Sequence, residues 1–385
     1  MTTLIHSVRL VDGGRITDDA WVRFAGGRVA QLGTGDGWRA HARPSDDVRD
    51  AAATAGRGAV LAPGFVDIHS HGGAGGSYDD GVDAIRAARA AHRAQGTTSA
   101  VLSLVTASLD DLESRVRAVA DLVGSDGILG SHLEGPFLDP GHKGAHDERL
   151  LRAPSAVDLG RLLGAGRGTV RQVTLAPELD SGVDAIRLVV AAGAAAAVGH
   201  TDAGADVARA AFDAGATILT HAFNAMPGLH HRHPGPVGAA LSDPRVTLEV
   251  VADGVHVHPD VVRMLFAAAP GRIALVTDAM AASCAGDGRY GLGELHVDVV
   301  GGVARLAGTD TIAGSTLTQS AALRNVTAWG VPLADAVRAL TATPAAAVGR
   351  ADLGGLAAGA AADAVLLTRD LDVRAVWASG GLAGR

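Results

Sequence analysis

The stretch Ile128-Leu129-Gly130-Ser131-His132-Leu133-Glu134-Gly135-Pro136 sets an acid at the end of a short apolar run. Such a run reads as a strand buried on both faces, as in a parallel sheet. A Glu directly after it is costly unless it is paired or holds a ligand; an arginine partner is the bland reading and a metal the sharper one. The same arrangement recurs along the chain. Apolar runs at Val60–Ile68, Thr97–Val105, Ile128–Leu133, Val170–Ala176, Ala195–Val198, Thr217–Leu219, Val246–Val251 and Ile273–Val276 read as eight strands. Helical patterns lie between several of them. Ser108, Ser155 and Ser181 each precede an acid by three residues, the pattern of a capped helix start. Gly96, Gly193 and Gly215 fall where helices should stop. Successive βα units of this number predict an α/β fold, a (β/α)8 TIM-like barrel, in preference to a doubly wound sheet with fewer strands.

The chemistry-bearing residues then fall where a barrel puts its active site, at the C-terminal ends of the strands. His69, Glu134, His200, His221 and Asp278 follow strands one, three, five, six and eight. His71 alternates with His69 on a strand end, so both point to one side. Each histidine alone reads as readily as a satisfied core or rim residue. Together with Glu134 they read as a metal site, for which imidazole and carboxylate suit Zn2+. A metal with open positions suits hydrolysis. Asp278 at the last strand end can cap the next segment or exchange a proton with water and a leaving amine. His146, near Lys143, reads equally as a loop residue. Arg232, among His230, His231 and His233, does not by itself distinguish an anion site from a solvated loop.

Composition bounds the rest. With 385 residues, 48% hydrophobic, the chain can build a barrel and a smaller unit. A net charge of −8 argues against a general nucleic-acid binder. The single cysteine, Cys284, excludes an internal disulfide and a thiolate cluster. The start of the chain lacks a signal-peptide pattern and the run Ala191–Val198 is too short to span a bilayer, so a cytoplasmic location and no membrane partner are expected. Lys143 is the only lysine. It lies in a Gly-rich loop, so a glutamate is a better metal bridge than a carboxylated lysine. Residues 4–33 and the segments Ala364–Leu367 and Val373–Ala378 read as short strands from both termini that form a small β-sandwich. Residues 1–58 with 350–385 make that unit, and 59–349 the barrel. Leu295–Val300 and Val303–Leu306 flank Gly301-Gly302 as a hairpin in an insertion at 283–314. Asp36–Arg57 reads as a loose connection.

At these residues the chain resembles the amidohydrolase superfamily and, within it, the deacetylases of amino-sugar phosphates. The similar segments run from Pro63-Gly64-Phe65-Val66-Asp67 to the closing Leu356–Asp363, most of the chain. His132–Phe137, His221–Met226, Asp253–His256 and Val276–Ala279 point to the deacetylases, whereas His69-Ser70-His71 identifies only the superfamily. The resemblance implies that Glu134, His200 and His221 hold the principal divalent metal, with His69 and His71 able to hold a second bridged by Glu134. It implies Asp278 as catalytic acid/base and His146 as the group that polarises the acetyl carbonyl. It assigns Asn224, Ala225, Arg232, His256 and His146 to substrate binding. The arginine matching Arg232 reaches a neighbouring subunit's site, which implies a homodimer. The implied reaction is metal-dependent deacetylation of N-acetylglucosamine 6-phosphate in amino-sugar catabolism, with N-acetylgalactosamine 6-phosphate as the nearest alternative substrate. A cyclic amidase or deaminase is disfavoured by Asn224-Ala225-Met226 and Arg232, and a non-catalytic scaffold by the complete ligand set.

Overall fold

A computed structural model describes residues 2–293 and 295–383. Eight parallel strands form the barrel sheet: Phe65–Ser70, Thr97–Val105, Ile128–Glu134, Val170–Leu175, Ala195–Val198, Ile218–Leu219, Thr247–Val251 and Ile273–Val276. Each pairs with its sequence neighbour. The first and last strands meet through side chains and strand ends. Thr277 donates its hydroxyl to Asp67 at 2.6 Å, and the Asp278 N–H donates to the His69 carbonyl at 2.8 Å. A helix follows every strand, from Val82–Ala94 after the first to Gln319–Ala328 after the eighth. Their apolar faces complete one core with the strands, which are buried almost throughout.

Ser108 and Ser155 cap as their spacing predicts, accepting from the N–H of Asp111 and Asp158. Ser181 does not: it sits in the left-handed region at φ 62° and makes no side-chain cap bond. Its helix instead begins at Gly182, whose close approach to Pro177 leaves no room for a Cβ. Gly96, Gly193 and Gly215 lie just past helix ends with φ of 99°, 82° and 113°.

The run read as one strand, Val60–Ile68, is two. Val60–Pro63 belongs to a separate mixed sheet, and the barrel strand starts at Phe65. Gly64 is the crossing point. A Cβ there would lie 2.1 Å from Thr98 Oγ1 and 2.6 Å from its Cγ2. The mixed sheet has eight strands drawn from both termini, with Thr2–Asp12 beside Val60–Pro63, and Ala364–Leu367 on the other side of Val60–Pro63. Trp377, Phe24 and Ile5 fill its own core. The strands expected as a sandwich are thus hydrogen-bonded into one sheet. The segment read as a loose connection is ordered: a 3-10 turn at Gly35–Ala40, a strand at Asp47–Asp50 and a short helix at Ala51–Ala55 capped by Asp50. The hairpin Leu295–Val300 with Val303–Leu306 forms as expected and gains a third strand, Gly288–Leu292. Among the described residues no helix is long and apolar enough to cross a membrane.

Gly64→Ala should lower the unfolding free energy by roughly 1–3 kcal/mol, the usual scale of forced overpacking. Chemical denaturation checks this, and an unchanged midpoint would contradict the crossing geometry.

Candidate metal centre

The strand ends bring two groups of side chains together over the barrel mouth. Glu134, His200 and His221 form one, and His69, His71 and Asp278 the other; within each group the potential ligand atoms lie within 4.8 Å of one another. Glu134 sits between the groups. Its Oε1 is 3.2 Å from the Nε2 of His200, His221 and His69, and its Oε2 is 3.0 Å from His71 Nε2. All five of its ion-pair partners among the described residues, with His146 at 3.8 Å, are histidines. The arginine partner that would have made Glu134 a plain salt bridge is not there. Lys143 pairs with Glu148 at 3.2 Å in its loop, leaving Glu134 as the group placed to bridge.

The backbone is bent to make this possible. His200, His221 and Asp278 each stand two residues past the end of their strand and adopt φ of 48°, 27° and 49°. Left-handed backbone is unfavourable for such residues and persists where the surroundings impose it, often at functional sites. Here the turns accompany the gathering of these side chains into the two adjoining groups.

Outer hydrogen bonds fix which ring nitrogen faces inward. His200 Nδ1–H donates to the His142 carbonyl at 2.9 Å, and His69 Nδ1–H to Glu249 Oε2 at 2.9 Å. In the neutral ring that a metal requires, each Nε2 then presents a lone pair to the cluster. Yet His200 Nε2 lies 3.0 Å from His221 Nε2, and His69 Nε2 lies 3.3 Å from His71 Nε2. Lone pairs and carboxylate oxygens aimed at one another at such range repel unless a proton or a cation lies between them. The donor set, imidazole nitrogens with carboxylate oxygens and an orienting outer shell, fits a divalent metal.

Without a cation, protons take its place. Burial lowers the His69 and His71 imidazoles, but Glu134 and Glu249 raise His69 well above its ordinary value, and Asp278 with Glu134 raises His71 to about 9, so the positive charge between the carboxylates sits on these rings. Burial pushes the Glu134 carboxyl up, but His69, His200 and His221 outweigh it and hold the group well below the usual carboxylate range. Asp278 is likewise held down against burial, by His71 and His69. His146 goes the other way: burial, aided by His200, lowers it to about 3, so it is neutral. Its Nδ1 accepts from the Thr106 backbone N–H at 3.4 Å and lies 2.9 Å from the Thr106 hydroxyl. A backbone N–H can only donate, so the His146 proton sits on Nε2, the nitrogen on the Glu134 side.

A cavity of about 390 Å³ opens above the cluster, lined in part by His146, Asn224, Ala225 and His256. His256 donates its Nδ1–H to Asp253 at 2.7 Å; burial lowers its pKa, but Asp253 reverses that and raises it overall. The insertion adds Leu292, Thr311 and Ile312 to the lining. Arg232 is the one expected site residue not gathered here. It is exposed, in the loop after Asn224, and does not line the cavity of its own chain. Three residues beneath the cluster went unread in the sequence: Glu249, Gln172 and Asp67, all buried. A charged residue inside the apolar strand Thr247–Val251 was the available signal for Glu249.

A barrel whose strand ends carry this ligand set defines a metal-dependent hydrolase architecture, and the amidohydrolase family model matches residues 60–383, so the chain belongs to that family. It is 37% identical, over the whole of both chains, to the N-acetylgalactosamine-6-phosphate deacetylase of Escherichia coli O157:H7. It is 36% identical to the N-acetylglucosamine-6-phosphate deacetylase of Homo sapiens, over 97% of this chain and 93% of the other. The N-acetyl-D-glucosamine-6-phosphate deacetylase of Mycobacterium smegmatis, solved as a mutant in complex with N-acetyl-D-glucosamine-6-phosphate, superposes with a TM-score of 0.92 at 44% identity, covering 100% of this chain and 99% of that one.

Proposed function

We propose that this chain hydrolyses the acetamide of N-acetylglucosamine 6-phosphate, releasing acetate and glucosamine 6-phosphate. The observation that carries the reading is the pair of ligand groups sharing Glu134 at the floor of a cavity walled by His146, Asn224 and His256. Similarity over the full chain to deacetylases of this name, one solved with the sugar phosphate bound, supports the substrate. The Escherichia coli relative named for the galactosamine epimer supports a second reading, the same chemistry on N-acetylgalactosamine 6-phosphate. Comparing kcat/KM for the two epimers separates them.

Glu134, His200 and His221 would hold the principal cation, with Zn2+ the metal their donor atoms suit best, and His69 and His71 would hold a second. Such a cation, when bound, supplies Lewis acidity and makes a water nucleophilic near neutral pH. The chain's own residues do the rest. Asp278, kept ionised by His71 and His69, takes a proton from the attacking water and delivers it to the leaving amine. His146, neutral with its proton on Nε2, donates a hydrogen bond to the acetyl oxygen as charge develops there. Asn224 and the Ala225 backbone hold the sugar.

The phosphate needs a positive partner. Among the described residues that line the cavity there is no lysine or arginine, and His256, lowered by burial but raised overall by Asp253, is a wall residue whose charge favours an anion. Arg232 on an exposed loop suits the role of an arginine supplied to a second copy's cavity, which makes a homodimer the working assembly. A charge-assisted contact of that kind anchors a phosphate far from the scissile bond, where binding energy serves to position the amide.

Asp278→Asn should lower kcat by ~10²-fold or more while the cation held by Glu134, His200 and His221 stays bound. Near-normal turnover would remove Asp278 from the mechanism. Arg232→Ala should weaken kcat/KM for the sugar phosphate and leave the slow turnover of unphosphorylated N-acetylglucosamine unchanged; an equal loss on both would contradict a phosphate anchor.

A further inference from the structure

Glu249 stands third in the barrel strand Thr247–Val251 with no exposed surface. The hydrogen bonds of its carboxylate all come from the floor of the ligand cluster. Oε2 accepts from His69 Nδ1–H at 2.9 Å and from the His221 backbone N–H at 3.3 Å, and Oε1 accepts from Gln172 Nε2 at 2.8 Å. Among the described residues its ion-pair partner is His69. A fully buried carboxylate with no lysine or arginine beside it is unfavourable, and the fold retains it only if something positive compensates.

The asymmetry of the outer partners shows where that compensation lies. Among the described residues, His71 Nδ1 and His221 Nδ1 have no hydrogen-bond partner, and His200 Nδ1 meets a neutral carbonyl. Only the ring of His69 is backed by an anion. A carboxylate behind a ligating imidazole fixes its tautomer and strengthens it as a donor. Toward the other group Glu249 reaches only the main chain of His221, so its charge is delivered to one side of Glu134.

We propose that Glu249 is the positioning residue that decides whether the His69, His71 and Asp278 group takes a cation, and that it has little hold on the Glu134, His200 and His221 group. The proposal rests on reading both groups as cation sites. It assigns the second cation to an acid that touches neither the cation nor the substrate.

Two variants separate charge from shape. In Glu249→Gln the new amide can keep its oxygen toward His69. Gln172, whose Oε1 is unpartnered among the described residues, can turn that oxygen to accept from the new NH2. The hydrogen bonds survive and only the charge is lost. Glu249→Leu removes both. Stepwise zinc affinities of the full-length protein, measured by competition with a chromophoric chelator, supply the readout, and thermal unfolding in excess chelator checks the fold. The wild type should bind in two steps. Glu249→Gln should weaken one step by ~10–100-fold and leave the other unchanged, the usual scale for a lost outer partner. Glu249→Leu should bind a single equivalent. Two steps weakened together, or neither, would overturn the proposal, as would a wild type with only one step. A wild type that binds no zinc would instead overturn the reading of both groups as cation sites, and the proposal with it.

Discussion

Glu134 is the constraint around which the rest is arranged. A carboxylate at the end of a buried strand, 3% exposed, has to be compensated, and the chain compensates it with imidazoles rather than with a guanidinium. Imidazoles can give up their protons and become ligands, which arginine cannot. That difference makes the barrel mouth a place for a metal rather than a salt bridge. The strained turns at His200, His221 and Asp278 follow from it, since each must leave its strand and double back to reach one small volume.

Around this centre the barrel is layered by chemistry. The layer of histidines and carboxylates that could hold a metal rests on a second polar layer inside the strands. There Ser103 and Thr174 each lie 2.8 Å from His132, Gln172 bonds Glu249, and Asp67 bonds Thr277. Buried polar groups are tolerated when each finds a partner, and such networks hold their members in one arrangement. Asp67 marks the cost: burial raises its pKa to about 6 despite the bonds from Thr277 and the His69 N–H. The ligands therefore stand on a floor that fixes them before any substrate arrives.

Much of this was legible because parallel barrel strands write themselves as uninterrupted apolar runs. Thr97–Val105, Ala195–Val198 and Ile273–Val276 fall where the runs placed them, and the terminal strands Ala364–Leu367 and Val373–Ala378 do too. The ends of those runs gave the ligand candidates. The illegible parts have physical reasons. Val60–Ile68 is apolar on both sides of Gly64, because one half is buried in the mixed sheet and the other in the barrel; apolarity does not say which core a strand serves. Ser181 carries the cap pattern but not the cap conformation, since the backbone approach at Gly182 dictates the turn. Glu249 was passed over because it sits inside a run, not at its end. Arg232 lies on an exposed loop off the cavity of its own chain, where neither its neighbours in sequence nor its strand position could assign it.

The central claim is that Glu134 joins two ligand groups through one shared cation environment. Its most direct test is the metal content of Glu134→Gln beside the wild type, purified alike and measured by elemental analysis, with folding checked by circular dichroism. The amide keeps the volume and removes the charge that both groups share. The expected outcome is a folded protein that retains no stoichiometric divalent cation at either group. A variant that keeps the wild type's full metal content would contradict it.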